Sequence, residues 1–223
     1  MAYSDDHLLR PNPDAIRIKR EIAHSEASSI FEIDLQGLKC VMKLFHNNGD
    51  PGYTKKGRDL NRFRCELNAY RNLHKYGVCA RGFVPQFHGS LDQIDPAAFE
   101  PFLRCFAADK FKPQAIFIEY LPNPEPLNCV NYSDARFDLI INGIKEIHAA
   151  HVKHQDAYPK NILIVPSDQE RVVWVDFDVA TTFKTFGAAE KQSCKDEYEV
   201  FASFRDLLRQ DQKEGLPPNT KYY

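Results

Sequence analysis

In the stretch His154-Gln155-Asp156-Ala157-Tyr158-Pro159-Lys160-Asn161, an Asp and an Asn stand five residues apart. After one apolar run and a turn comes Asp176-Phe177-Asp178. An Asp and an Asn at that spacing, just past a helix, can face one pocket. A second Asp at the end of a neighbouring strand can bring a carboxylate to the same point. One group would orient a hydroxyl and two would hold a metal ion, which is the chemistry of phosphoryl transfer.

The elements flanking these residues are legible from periodicity. Ser133 can cap a helix whose stripe runs through Phe137, Ile140, Ile141, Ile144, Ile147 and His148 and delivers the chain to the loop. Asn161–Val165 and Arg171–Val175 read as two strands around Pro166-Ser167-Asp168, so Asp156 precedes a hairpin and Asp176 ends it. One last helix is expected over Tyr198, Phe201, Phe204 or Arg205, and Leu208. Upstream, Ile16–Phe45 fits three antiparallel strands, with Asp34-Leu35-Gln36-Gly37 as a hairpin turn and Lys43 on the third strand. Leu60, Phe63, Leu67, Tyr70 and Leu73 recur at helical spacing, with Asp59 near the start and Gly77 past the end. Glu66 lies beside that stripe and can point toward Lys43.

Phe83–Ser90 and Ala115–Tyr120 read as two further strands. Asp95–Gln114, with its three prolines, has no assignable period beyond room for a short helix. Leu121–Pro126 breaks both periods and is expected to act as a hinge. Met1–Asp14, with Pro11 and Pro13, reads as a loosely docked arm. The expected domains are therefore an arm over 1–15, a sheet-and-helix lobe over 16–120 and a short helical lobe over 121–223.

A net charge of −2 without a long basic run argues against a nucleic-acid or anionic-membrane partner. The first residues lack the apolar core of a secretory signal, and no run is long enough to span a bilayer, so a cytoplasmic location is expected. The cysteines at 40, 65, 79, 105, 129 and 194 have neither zinc-ligand nor disulfide-framework spacing and are expected to be reduced and mostly buried. His148 and His151 read as helix-end residues.

The order of elements over residues 16–210, with His154-x-Asp156-x-x-Pro159-x-Asn161 and Asp176-Phe177-Asp178, resembles the protein-kinase-like superfamily of protein kinases and aminoglycoside-phosphotransferase-type kinases. The resemblance implies an α+β, two-lobed fold: a five-stranded antiparallel sheet with one main helix, then a truncated, mainly helical lobe. It implies Mg²⁺ and ATP as cofactors. Asp156 would orient the acceptor hydroxyl, and Asn161 and Asp176 would bind the metal. Lys43 would contact the α- and β-phosphates, paired with Glu66. Ile118 would close the back of the adenine pocket, with backbone groups of Glu119, Tyr120 and Leu121 meeting the base. His154 would tie the loop to neighbouring backbone.

Three departures follow. The phosphate-loop glycines are replaced by Ala23, Ser25 and Ser28; the residues stay small, so the backbone at Ser25 and Ser28 is still expected to approach the nucleotide phosphates, without glycine's φ freedom. Tyr158 stands where a lysine usually steadies the transferring phosphate, and Lys160, two residues on, is the candidate substitute. Asp178 replaces the usual glycine. Little chain separates Asp176 from the last helix, and no Ala-Pro-Glu sequence follows, so the peptide platform of protein kinases is largely missing. The expected activity is phosphoryl transfer from ATP to a hydroxyl of a small molecule or a protein. The alternative is a pseudokinase acting as a scaffold.

Overall fold

A computed structural model describes residues 11–166 and 170–218. Residues 1–10 of the expected arm, and Ser167 and Asp168 of the expected turn, lie outside the described residues. Five strands form an antiparallel sheet: β1 (Ile16–His24), β2 (Ser28–Leu35), β3 (Leu38–Phe45), β4 (Phe87–Leu91) and β5 (Gln114–Glu119), in the order β1-β2-β3-β5-β4. Gln36 and Gly37, both at positive φ, make the β2–β3 connection, and the Gly37 N–H donates to Asp34 Oδ1 at 3.0 Å. Such two-residue turns match strand twist.

Strand β3 is buried on both faces, and its alternation sorts the chemistry. Cys40, Met42 and Leu44 face one side with Phe31, Ile33 and Phe117, against Ile94, Leu103 and Phe106. Val41, Lys43 and Phe45 therefore face the other side, where helix α1 (Arg62–Lys75) lies. The segment without an assignable period, 95–114, thus supplies the outer cover of the sheet through two short 3-10 turns, Pro96–Phe99 and Arg104–Ala108. Asp109 fixes it by accepting from His46 Nδ1 and the Asn47 N–H. The end of the expected arm is docked rather than loose: Pro11 is buried and Asn12 caps a 3-10 turn over Pro13–Ala15.

Asn61, not Asp59, caps α1, accepting from the Arg64 N–H at 2.9 Å. Asp59 instead holds the Arg64 side chain at 2.5 and 2.7 Å, and Leu60 sits outside the helix, partly exposed. A carboxylate beside a guanidinium satisfies two charges at once, which outweighs a cap bond.

Beyond the connecting segment, β6 (Glu125–Pro126) pairs with β8 (Ile162–Val165), so the expected hinge is anchored at its far end. Helix α2 (Asp134–Ala149), capped by Ser133, leads into β7 (Val152–Lys153). Strands β8 and β9 (Arg171–Trp174) form the hairpin, and β10 (Thr181–Thr182) pairs back onto β7. The expected last helix is two, α3 (Ala188–Ala202) and α4 (Phe204–Lys213), broken at Ser203. Phe201 and Phe204, on either side of the break, are both buried in the core, their ring centroids 6.0 Å apart.

Trp174, the last residue of β9, is fully buried against α2 and donates to Ile140 O at 3.2 Å. Gly143 makes room for it: a Cβ there would lie 2.8 Å from Trp174 Nε1. All six cysteines are free, five buried and Cys105 exposed. Among the described residues, no helix is long and apolar enough to cross a membrane.

Candidate active site

Lys43 joins the two halves of the chain. Its ammonium lies 2.6 Å from Glu66 Oε2 on α1 and 2.7 Å from Asp176 Oδ1, just past β9. Lys43 and Glu66 are almost fully buried. Burial opposes charge on Lys43, but the fields of Glu66 and Asp176 outweigh it and raise its pKa. Burial pushes the Glu66 carboxyl up to about 7 against the pull of Lys43. Burial also works against ionised Asp176, yet Lys43 holds its pKa below the ordinary value. Asp178 is buried and bonded to Arg62 Nη1 at 2.7 Å, in the first turn of α1.

The loop below is held by groups far away in sequence. Glu197, on α3, accepts from the backbone N–H groups of His154 (3.0 Å) and Gln155 (2.6 Å) and bonds His148 Nε2 (2.8 Å). Burial would raise its pKa, but these hydrogen bonds lower it. Glu197 was not found from sequence. Its signal was a carboxylate on the buried stripe Cys194, Glu197, Phe201. His154 Nε2 faces Val175 O at 3.0 Å and so must carry the proton, and burial lowers its pKa. Rings from both halves pack in series: Phe87 stacks on Tyr70 (5.6 Å), Tyr70 meets Phe177 edge-on (5.6 Å) and Phe177 meets His154 at a tilt (4.7 Å). The chain on either side of Asp156 and Asp176 is thereby fixed to both halves.

Within the loop, Asn161 Nδ2 donates to Asp156 O (2.8 Å) and Asp156 Oδ2 (2.9 Å), and Lys160 Nζ lies 3.1 Å from the same carboxylate oxygen. Tyr158 points outward, half-exposed, with its ring edge on Phe204. A cleft of about 520 Å³ lies between the halves. Ile30, Val41, Ile118 and Leu163 wall it, Lys43 and Glu66 stand at its back, and Lys160, Asn161 and Asp176 line one side. Asp156 sits beside it through its bonds to Lys160 and Asn161.

Ser25 lines the cleft, but its hydroxyl accepts from the Ala27 and Ser28 N–H groups at 3.2 Å each and donates to Ser28 O. Those two amides are bonded inside the turn. Without glycine the turn closes on its own side chain. The Glu119 N–H donates to Gln86 O, and its carboxylate is gripped by Arg171 at 2.6 and 3.1 Å. Glu119 and Leu121 both line the cleft.

The donor set suits a hard cation carried by phosphates. With its Nδ2 committed to Asp156, Asn161 keeps its amide oxygen for the cleft it shares with Asp176. Among the described residues, no group of three or more His, Cys, Asp and Glu is placed to hold a metal ion.

Residues 133–200 match the model of the lipopolysaccharide kinase (Kdo/WaaP) family. That span covers α2, the loop with Asp156, the hairpin, the Asp176 segment and most of α3, so the elements below the cleft carry the likeness. No curated protein matches the chain.

Proposed function

We propose that this chain, a member of the protein-kinase-like superfamily, transfers the γ-phosphoryl group of Mg-ATP to a hydroxyl of a small acceptor, a sugar hydroxyl above all. The observation that carries this reading is Lys43 held between Glu66 and Asp176 at the back of the cleft that Asn161 lines beside Asp156. A sugar acceptor accords with the likeness to a lipopolysaccharide kinase family. A peptide is disfavoured because only residues 177–187 lie between Asp176 and α3.

The apolar walls would take the base, and Lys43 would neutralise the α- and β-phosphates. Asn161 and Asp176 would hold Mg²⁺, which supplies charge neutralisation at the phosphate oxygens when bound. Asp156 would accept the hydrogen bond of the acceptor hydroxyl and take its proton as the oxygen attacks the γ-phosphorus in line. The bond from that phosphorus to the β,γ-bridging oxygen breaks, and ADP leaves. Lys160, beside Asp156, would meet the charge developing on the transferred group. A second reading, binding without transfer, draws on Ser25, which consumes the amides of the turn over the phosphates.

The test is transfer of labelled γ-phosphate from ATP, with and without Mg²⁺, to a panel of sugar, glycolipid and protein acceptors. Asp156→Asn is expected to lower turnover on the order of 10²–10⁴-fold, and Asp176→Asn to abolish Mg²⁺-dependent nucleotide binding. Wild type that neither binds Mg-ATP nor exceeds the variants overturns the reading. Binding with no transfer to any acceptor selects the scaffold.

A further inference from the structure

Asp178 stands where the resembled superfamily carries glycine, and it is buried. A buried carboxylate needs a partner, because desolvation without compensation is costly. Arg62 is that partner, at 2.7 Å, with Asp178's side chain 11% exposed and Arg62's 49%. Arg62 precedes Glu66 by one helical turn, so both side chains leave the same face of α1. Two links thus run in parallel from α1 to the segment after β9. One passes from Glu66 through Lys43 to Asp176, and the other directly from Arg62 to Asp178.

The two links respond differently to a bound nucleotide. An ammonium has three donors, and Lys43 commits two of them to carboxylates. Serving phosphates and freeing Asp176 for a cation requires the Lys43–Asp176 bond to be exchanged. The Arg62–Asp178 bond involves neither partner of that exchange. We propose that Arg62 and Asp178 are positioning residues, a clamp that keeps α1 and Glu66 against the Asp176 segment while Lys43 changes partners. Alignment of Lys43 then needs no modification of residues 177–187. This deepens the phosphotransferase reading and rests on it for its role in turnover, whereas the coupling of the two elements stands independently of activity.

The test is a charge-swap cycle on the full chain: Arg62→Asp, Asp178→Arg and both together, with Arg62→Gln and Asp178→Asn as milder variants should the reversals not fold. Hydrogen exchange of the α1 amides and Mg-ADP affinity are read first, then kcat and KM for ATP. Single variants are expected to speed exchange in the first turns of α1 about tenfold, and to lower kcat by a similar factor with a smaller change in KM. The swap is expected to recover most of both effects. Unchanged α1 exchange in the single variants overturns the clamp, as does a folded swap that recovers nothing. A shift in the Mg²⁺ dependence of ADP binding in Asp178→Asn that Arg62→Gln does not share also overturns it, making Asp178 a metal ligand. If wild type shows no turnover, the exchange measurements still decide the clamp, and the phosphotransferase reading fails separately.

Discussion

At the β1–β2 turn above the cleft, the side-chain bonds run between near neighbours, Ser25 binding Ala27 and Ser28 two and three positions away. One backbone bond, from the His46 N–H to Ala27 O, ties the turn to the end of β3. In the loop below, the backbone of His154 and Gln155 is held by Glu197, 43 and 42 positions away, and His154 reaches Val175 across 21. The upper edge is largely exposed, while Glu197, His154 and Asn161 are buried. A locally bonded turn keeps its shape under substitution but has little hold over what it covers. A loop bonded over long range places its carboxylate firmly and depends on the whole fold. The side of the cleft that carries Asn161 is therefore held by long-range bonds, and the Ser25 turn mainly by local ones.

Breaking the lower side should cost most. Glu197→Ala strands the buried His154 N–H at about 1–3 kcal/mol and removes the part-buried Gln155 hydrogen bond at about 0.5–1.5 kcal/mol, so chemical denaturation should show about 1.5–4.5 kcal/mol lost, with turnover falling too. The pH dependence has a definite sign. Because the folded pKa of Glu197 is lowered, its contribution is present above the ordinary carboxylate value and is lost as pH falls through the folded one. Glu197→Gln should flatten that acid limb.

Gly143→Ala comes next. Alanine would gain about 1 kcal/mol of helix propensity, but its Cβ would meet the buried Trp174 ring at 2.8 Å. Overpacking of that kind costs about 1–3 kcal/mol. The expected outcome is a lower melting temperature, with displacement of Asp176 reported by weaker Mg²⁺-dependent nucleotide binding. A variant as stable as wild type would show that Trp174 can yield.

The Lys43–Glu66 pair should sharpen the contrast through pH. Glu66, pushed up to about 7 by burial, is ionised above that value and neutral below it. Turnover should fall about tenfold from about pH 8 to about pH 6 as the anionic partner of Lys43 is lost. Glu66→Gln should remove that dependence along with most of the activity. The smallest effect is expected above the cleft. Ser25→Ala removes weak, partly exposed hydrogen bonds worth about 0.5–1.5 kcal/mol, and nucleotide affinity should change by no more than a few-fold. A large loss of affinity there would mean that the turn grips phosphate after all.

Much of the fold was legible because its signals are periodic. The Phe137–Ile147 stripe, the Gln36-Gly37 turn and the two apolar runs after Asn161 each state an element in local sequence. The outer cover over 95–114 was not legible, because irregular chain is held by partners outside itself, such as His46 and Asn47. The break at Ser203 was equally hidden, since either side of it reads as helix.

The sequence alone determined which chemistry is available: Asp156, Asn161 and Asp176 at their spacing, Lys43 on a strand and Glu66 on a helix stripe. Residue type and period are local properties, so these follow without coordinates. Tertiary structure alone decided how those groups are held and which are free. Lys43 binds Asp176 as well as Glu66, Glu197 anchors the loop, Asp178 is matched by Arg62, and Ser25 is spent on its own turn. Most of these bonds join residues tens of positions apart, and burial, which sets their strength, is a property of the packed whole.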